Sequence, residues 1–305
     1  MPAGDLTITS VHVNAPLTNL AIRYKVPDMV AERIWPVVPV QKESDVYYKF
    51  YKEELVDYPT LRAPGAEANE MAWDATTEAY KAEEYALRKL VPDRVARNAD
   101  PPVRPAMTTV EKLKATLMIE QERRVAAIVQ SATFVTNTSA IATAWDAASG
   151  QTPEKDVDTA KNAVRVAAGK VPNAILMNYL TAQALKRWLK ATAYTTYSEY
   201  LDKNELPPVL WGCETIIGVA VRNTANAAKT ETLSDIWTDN VTVFYKEASP
   251  SLDAMTFGYI MRAQNWITTD YYVDQRKGRM YEVSVVEAEE LVSAACAYLL
   301  TNALT

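Results

Sequence analysis

Thr108-Thr109-Val110-Glu111 opens the stretch whose reading decides the architecture, and Leu117-Met118-Ile119-Glu120-Gln121-Glu122-Arg123-Arg124-Val125-Ala126 is its centre. The opening has the form of a capping box, with Thr108 at the N-cap and Glu111 three residues on. It predicts a long helix running to about Ala132. Val110, Leu113 and Leu117 hold one face, and Val125, Ile128 and Val129 resume it. Between them Glu120 to Arg124 is polar nearly all round, so the helix is expected to be only partly buried by its own subunit. Glu120 and Glu122 face different sides and make no carboxylate pair.

Toward the N-terminus, residues 1–42 read as an extended arm. Prolines 16, 27, 36 and 39 break any helix longer than about two turns. One helical turn is predicted at 28–33, with Asp28 as its N-cap. Leu17, Leu20, Ile22, Ile34, Trp35, Val37 and Val38 cannot build a core by themselves and need another surface. Residues 43–86 predict a long two-stranded hairpin. Val46 to Lys52 is rich in β-favouring aromatics, turn residues follow at Tyr58-Pro59 and Ala63-Pro64-Gly65, and an extended stretch returns from about Met71 to Tyr85. The hairpin has no obvious apolar face, and a lone hairpin is marginal in water, so it should lie on something else.

Charge separates this hairpin from the next segment of chain. Residues 43–86 carry 4 Lys/Arg against 11 Asp/Glu, a net of −7, and residues 87–124 carry 9 against 5, a net of +4. Either these are two solvated faces, or the acidic hairpin of one subunit lies across the basic strap of the next, which contains Arg88, Lys89, Arg94, Arg97 and Arg104. Asp100 to Pro105 is a stiff connector.

Beyond the long helix, residues 133–150 are small and polar and read as loop. Pro153 starts a helix whose face of Val157, Ala160, Val164 and Ala167 ends at Gly169. Ala174 to Met177 predicts a buried strand. Asn178 then caps a helix from Tyr179 to about Lys190, with Leu185, Trp188 and Leu189 inward. Strands are predicted at Glu214–Val221, Val241–Tyr245, Phe257–Trp266 and Arg279–Val286, with a short apolar end from Ala294 to Leu304.

Composition narrows the function. The chain has 305 residues, 49% hydrophobic and 23% charged, which is ordinary globular usage. No run approaches the ~18 apolar residues of a membrane span, and Met1-Pro2-Ala3-Gly4-Asp5 does not read as a secretory signal. One histidine, His12, and 8 glycines leave little for acid–base catalysis or phosphate-cradling turns. Cys213 and Cys296 read as small buried residues without metal-ligand spacing. No catalytic residue, cofactor or metal set is assigned. A net charge of −6 argues against gripping nucleic acid through its phosphates, although not against enclosing it. The 17 tyrosines and 7 tryptophans supply contact area of the kind used at interfaces, and Tyr47-Tyr48 and Tyr271-Tyr272 read as core or subunit contacts.

Taken in order, these features resemble the major capsid proteins of tailed bacteriophages. The resemblance spans nearly the whole chain. Glu84-Tyr85-Ala86-Leu87, running through Val91-Pro92-Asp93 to Asn98-Ala99, is similar to the passage out of that family's extended loop, and Leu117 to Ala126 to its spine helix. Val171 to Asn178 with Leu185-Lys186 is similar to the strand and helix of its axial domain. Leu210-Trp211-Gly212-Cys213-Glu214 to Val219, Ile236-Trp237 with Val241–Tyr245, and Tyr298 to Asn302 match further recurring patterns. The resemblance implies an α+β, Hong Kong 97-like capsid fold. Its parts would be an N-terminal arm (1–42), an extended hairpin loop (43–86), the peripheral-domain strap and spine helix (87–150), an axial domain (151–240) and a β-rich return through both domains (241–305).

That family implies a structural protein, not an enzyme. It would self-assemble into hexamers and pentamers of an icosahedral head enclosing double-stranded DNA, built in the cytoplasm of a host bacterium. A separate scaffolding protein, a portal and decoration proteins are the implied partners, and no membrane or cofactor is involved. The implied inter-subunit contacts are Tyr47, Tyr48, Tyr51, Glu53, Glu54, Asp57 and Trp73 on the hairpin, and Arg88, Arg94, Arg97 and Arg104 on the strap. Some members join a hairpin lysine to a neighbour's asparagine. Lys49, Lys52 and Lys81 are available, but no asparagine partner or catalytic glutamate is assigned. An encapsulin-type nanocompartment shares the fold and stays open as an alternative, as does, more remotely, an α/β hydrolase or ligand-binding protein.

Overall fold

The structure is a computed structural model and describes residues 12–23, 29–49, 57, 60–65, 67–70, 76–99, 104–225, 230–247, 249 and 255–305. The arm holds strand β1 (His12–Val13), helix α1 (Ala15–Arg23), the four-residue helix α2 (Ala31–Ile34) and strand β2 (Val37–Pro39). Strands β3 (Ser44–Lys49) and β4 (Thr76–Lys81) pair antiparallel as the base of the predicted hairpin. The strap is β5 (Glu83–Pro92) and α3 (Asp93–Arg97), followed by the long helix α4 (Pro105–Val129). Then come β6 (Thr138–Ala140), α5 (Pro153–Ala168), β7 (Ala174–Asn178), α6 (Tyr179–Thr192), α7 (Tyr194–Asp202), β8 (Val209–Leu210) and β9 (Cys213–Gly218). A short ribbon of β10 (Val221–Asn223) and β11 (Leu233–Asp235) precedes β12 (Val241–Phe244), β13 (Gly258–Val273), β14 (Gly278–Leu291) and β15 (Ala297–Thr301).

Two sheets organise these elements. The first runs β1-β13-β14-β5, with β2 parallel to β13. The strand predicted at 279–286 lies within β14, and its side chains alternate. Tyr281, Val283 and Val285 turn to one side and pack with Val110, Leu117 and Met118 of α4. The second sheet runs β6-β15-β12-β7-β9-β8. Its central strand β7 is apolar without interruption from Ala174 to Met177 and buried on both faces. Ala174 and Leu176 join the cluster beneath α4 and the arm, while Ile175 and Met177 join Leu185 and Leu189 of α6. The predicted caps are also present. Asn178 Oδ1 accepts the Thr181 N–H at 2.7 Å, and Gly169 closes α5 at φ 68°.

Several expectations are corrected. Helix α4 starts at Pro105, not after a Thr108 cap, because proline's fixed φ suits the first helical position. It also ends at Val129, where the Gln130 side chain is tied to Thr238 and Asn240. Residues 133–150 contain β6, held parallel to β15. The stretch predicted as one strand at 214–221 is two, β9 and β10, and β13 and β14 run further than predicted, to Val273 and Leu291. In the arm, Pro16 occupies the second position of α1 and does not break it, and Asn14 caps that helix through Leu17 N–H. The N-cap of α2 is Val30, and Asp28 lies outside the described residues. The arm is also less needy than its composition implies. Leu17, Ile34, Trp35 and Val38 are buried in their own subunit.

Candidate functional site: a basic groove, a hairpin base and two buried polar junctions

The hairpin is anchored at its base. Residues 45 and 47 share a face with 78 and 80 by register. That face puts Tyr47 and Tyr80 into a cluster with Val38, Tyr259, Met261 and Val292. Tyr47 is 3% exposed, and its hydroxyl donates to Glu78 at 3.0 Å. Burial pushes its phenol well above the usual range, so it stays protonated. The Tyr47 ring, expected among the inter-subunit contacts, is packed inside its own subunit. Tyr48, Tyr51, Glu53, Glu54 and Trp73 have side chains outside the described residues, and Asp57 is exposed.

The strap presents its cations outward. Arg88, Arg94, Arg97 and Arg104 are all exposed. Arg88 donates to the Tyr271 hydroxyl at 3.3 Å, and Arg97 to the Asp93 carbonyl at 3.4 Å. Among the described residues none of the four pairs with a carboxylate. Between β5, α3 and the first turns of α4 lies a groove of about 670 Å³. Val91, Val95 and Pro105 give it an apolar floor, and Lys89, Arg94 and Lys112 line it with positive charge. Among the described residues no acidic side chain lines it. Helix α4 begins there with no side-chain cap and no acidic residue in its first turn, so its amide dipoles add to the positive field. Such a surface suits an extended segment carrying both aromatic and carboxylate side chains.

Two buried polar junctions hold the scaffold behind this surface. Glu122, 0% exposed, accepts N–H groups from Val30 at 3.0 Å, Ala31 at 2.8 Å and the Trp237 indole at 2.8 Å. Burial raises its carboxyl above the usual value, and the three donors pull part of the way back. In the second junction Arg124 reaches Glu287 at 2.9 Å and Glu289 at 2.6 Å, while its guanidinium lies 3.6 Å over the Tyr85 ring. Arg262 meets the same Glu287 at 2.8 Å, and Gln121 donates to it at 3.1 Å. Lys114, also buried, donates to the Ala21 carbonyl in the last turn of α1.

The polar centre of α4 is divided: Glu120 and Arg123 pair on an exposed face, in keeping with a helix only partly buried by its own subunit, while Gln121 and Glu122 turn inward. A sequence signal for Glu122 was present. Met118, Glu122, Val125 and Val129 follow helical spacing, so Glu122 occupies a core position of the stripe. Cys213 and Cys296 are buried free thiols, as expected, and burial pushes Cys296 up to about 11. Among the described residues no cluster of His, Cys, Asp and Glu could hold a metal ion, and no helix is long and apolar enough to cross a membrane.

A long helix packed on a β13–β14 sheet, a second sheet of six strands, a two-stranded hairpin base and an N-terminal arm together make the Hong Kong 97-like capsid fold. The comparisons agree with that class. No family model matches the chain. Over 300 residues it is 24% identical to the major capsid protein of Burkholderia phage BcepMu, covering 95% of this chain and 96% of that relative. A phage-related protein of Bordetella bronchiseptica, known from a crystal structure, has a TM-score of 0.75 at 22% identity, over 96% of this chain and 98% of that one. A chain from the capsid of cyanophage P-SCSP1u has a TM-score of 0.60 at 12% identity, over 89% and 87% of the two chains. The similarity to phage major capsid proteins read from the residues therefore holds from one end of the chain to the other.

Proposed function

We propose that this chain is the shell-forming major capsid protein of a tailed bacteriophage, assembling as hexamers and pentamers into an icosahedral head around double-stranded DNA. The observation that carries the reading is correspondence with a phage major capsid protein over 95% of the chain, at the level of sequence as well as fold. The surface is consistent with it. One subunit leaves a cation-lined groove facing solvent, and its own hairpin carries the matching negative charge. In the shell, the hairpin of one copy lies across the strap of the next, with Tyr48, Tyr51 and Trp73 supplying apolar contact. Glu53, Glu54 and Asp57 face Arg88, Arg94, Arg97 and Arg104. Charge then sets register, and apolar burial supplies most of the affinity.

We propose the same division of the chain as the sequence reading. The arm is 1–42, the hairpin loop 43–86 and the strap and spine helix 87–150. The axial domain is 151–240, and 241–305 returns through both domains. Assembly takes place in the cytoplasm of the host bacterium, with a separate scaffolding protein, a portal and decoration proteins as partners. A net charge of −6 suits a container that encloses DNA without gripping it. Electron microscopy and size-exclusion chromatography of the full chain test the proposal. Closed particles of megadalton mass are expected, and a stable 33.9 kDa monomer would overturn it. Particles from infected cells should contain DNA. A protein cargo in its place would overturn the phage reading in favour of an encapsulin-type shell.

A further inference from the structure

The first sheet (β1-β13-β14-β5 with β2) and the second (β6-β15-β12-β7-β9-β8) share no strand ladder. A short piece of the arm, residues 30–36, sits where they meet and is bonded to both. Toward the first sheet, Glu32 accepts from Arg262 of β13 at 2.9 Å, and the Pro36 carbonyl accepts the Ile260 N–H at 3.1 Å. Toward the second, Arg33 donates to Glu214 of β9 at 2.8 Å. Just beyond β12, Lys246 donates to the Arg33 carbonyl at 2.9 Å and to Glu214 at 2.7 Å. From below, Glu122 of α4 caps the start of α2 through the Val30 and Ala31 N–H groups.

The apolar side of the same piece is equally shared. Ile34 and Trp35 belong to the cluster that contains Ile260 of β13 together with Leu176, Ile216 and Phe244 of the second sheet. Phe257, next to β13, meets Phe244 of β12 at 5.4 Å, and Trp35 of the arm packs edge-on against that contact at 5.6 Å from Phe257. Gly258 is what lets Trp35 in, because a Cβ there would lie 2.4 Å from the indole ring.

We propose that residues 30–36 are a wedge that sets the angle between the two sheets, so that the arm governs the shape a subunit presents to its neighbours. This concerns the single subunit and stands whether or not the chain builds a phage head. The mechanism is mechanical. Each sheet is rigid through its own ladders, the joint between them is a packed core, and cores switch between discrete packings more readily than they deform. With the ionic arms of α2 bound to one sheet on each side, one packing is selected. Without them, several angles have similar energy.

Pulsed electron paramagnetic resonance on the full chain tests this. Spin labels are placed at Glu84→Cys on β5 and Val209→Cys on β8, both exposed, while native Cys213 and Cys296 are buried. Labelled chain is diluted into unlabelled chain so that only distances within one subunit are read. The double variant Glu32→Ala with Arg33→Ala removes the ionic arms and leaves Ile34 and Trp35 in place, so the fold is retained. The inter-sheet distance distribution is expected to broaden about twofold relative to wild type. The control pair Glu120→Ala with Arg123→Ala, an exposed bridge on the same spine helix, is expected to leave it unchanged. A wild-type width in the double variant overturns the proposal, as does equal broadening in the control.

Discussion

The Trp237 indole N–H donates to the Glu122 carboxylate at 2.8 Å, across 115 residues of sequence. That bond fixes the middle of α4 to the segment entering β12. The other donors on the same carboxylate fix it to the arm. One buried carboxyl group, with three N–H partners, therefore sits at the junction of three parts of the chain.

Replacing Glu122 by alanine would leave three buried N–H groups without an acceptor. Each costs about 1–3 kcal/mol, so a loss of about 3 kcal/mol or more is expected in chemical denaturation. Glu122→Gln keeps one acceptor but points an amide N–H₂ at donors, and should fall between alanine and wild type. Glu120→Ala, which removes an exposed bridge to Arg123, should change stability by about 0.5 kcal/mol or less.

Gly218 and Gly258 are expected to resist substitution because rings occupy the space of a side chain. A Cβ on Gly218 would lie 2.3 Å from the Trp237 ring, and Trp237 cannot retreat while Glu122 holds its indole nitrogen. Gly218→Ala and Gly258→Ala should each cost about 1–3 kcal/mol as overpacking, read as a lowered melting temperature. Gly65→Ala meets nothing within 4 Å, but φ is +84° there, so its smaller cost comes from backbone strain alone.

Acid stability should depend on Glu214. Although its partial burial opposes charge, the bonds from Arg33 and Lys246 hold its carboxyl below the ordinary value of 4.5. Its contribution is thus present above pH 4.5 and lost as the pH falls through the lower folded-state value. Glu214→Gln should flatten this part of the acid limb in a denaturation series from about pH 6 to about pH 3. Glu122 and Glu287 act with the opposite sign. Burial raises both, so their ionisation costs stability as the pH rises from 4.5 through their folded-state values, and neither drives acid unfolding.

Charge reversal should separate the hairpin-on-strap contact from general solubility. Glu53, Glu54 and Asp57 changed together to lysine should abolish assembly at low salt, as should Lys89, Arg94 and Lys112 changed to glutamate. Combining the two sets should restore particles in part, because the field is reversed on both sides. Light scattering and negative-stain microscopy read the outcome. Normal assembly of either single set would refute the pairing.

Local rules settled much of this chain in advance. Apolar spacing marked the helices at 105–129, 153–168 and 179–192, because a 3.6-residue period is written in the sequence itself. Asn178 and Gly169 ended elements for reasons that lie within a few residues of each, and β7 was legible as an uninterrupted apolar run. The acidic hairpin and basic strap needed only a count of charges. What the sequence did not disclose was where polar groups are satisfied. Glu122 read only as part of a polar run because its donors come from residues 30, 31 and 237, and Arg124 because its carboxylates lie at 287 and 289. Tyr47 looked free for a neighbour until β13 and Val292 closed over it. Periodicity and capping act over one or two turns and can be read locally. Satisfaction of a buried charge depends on which distant backbone arrives beside it, and only the packed tertiary structure decides that.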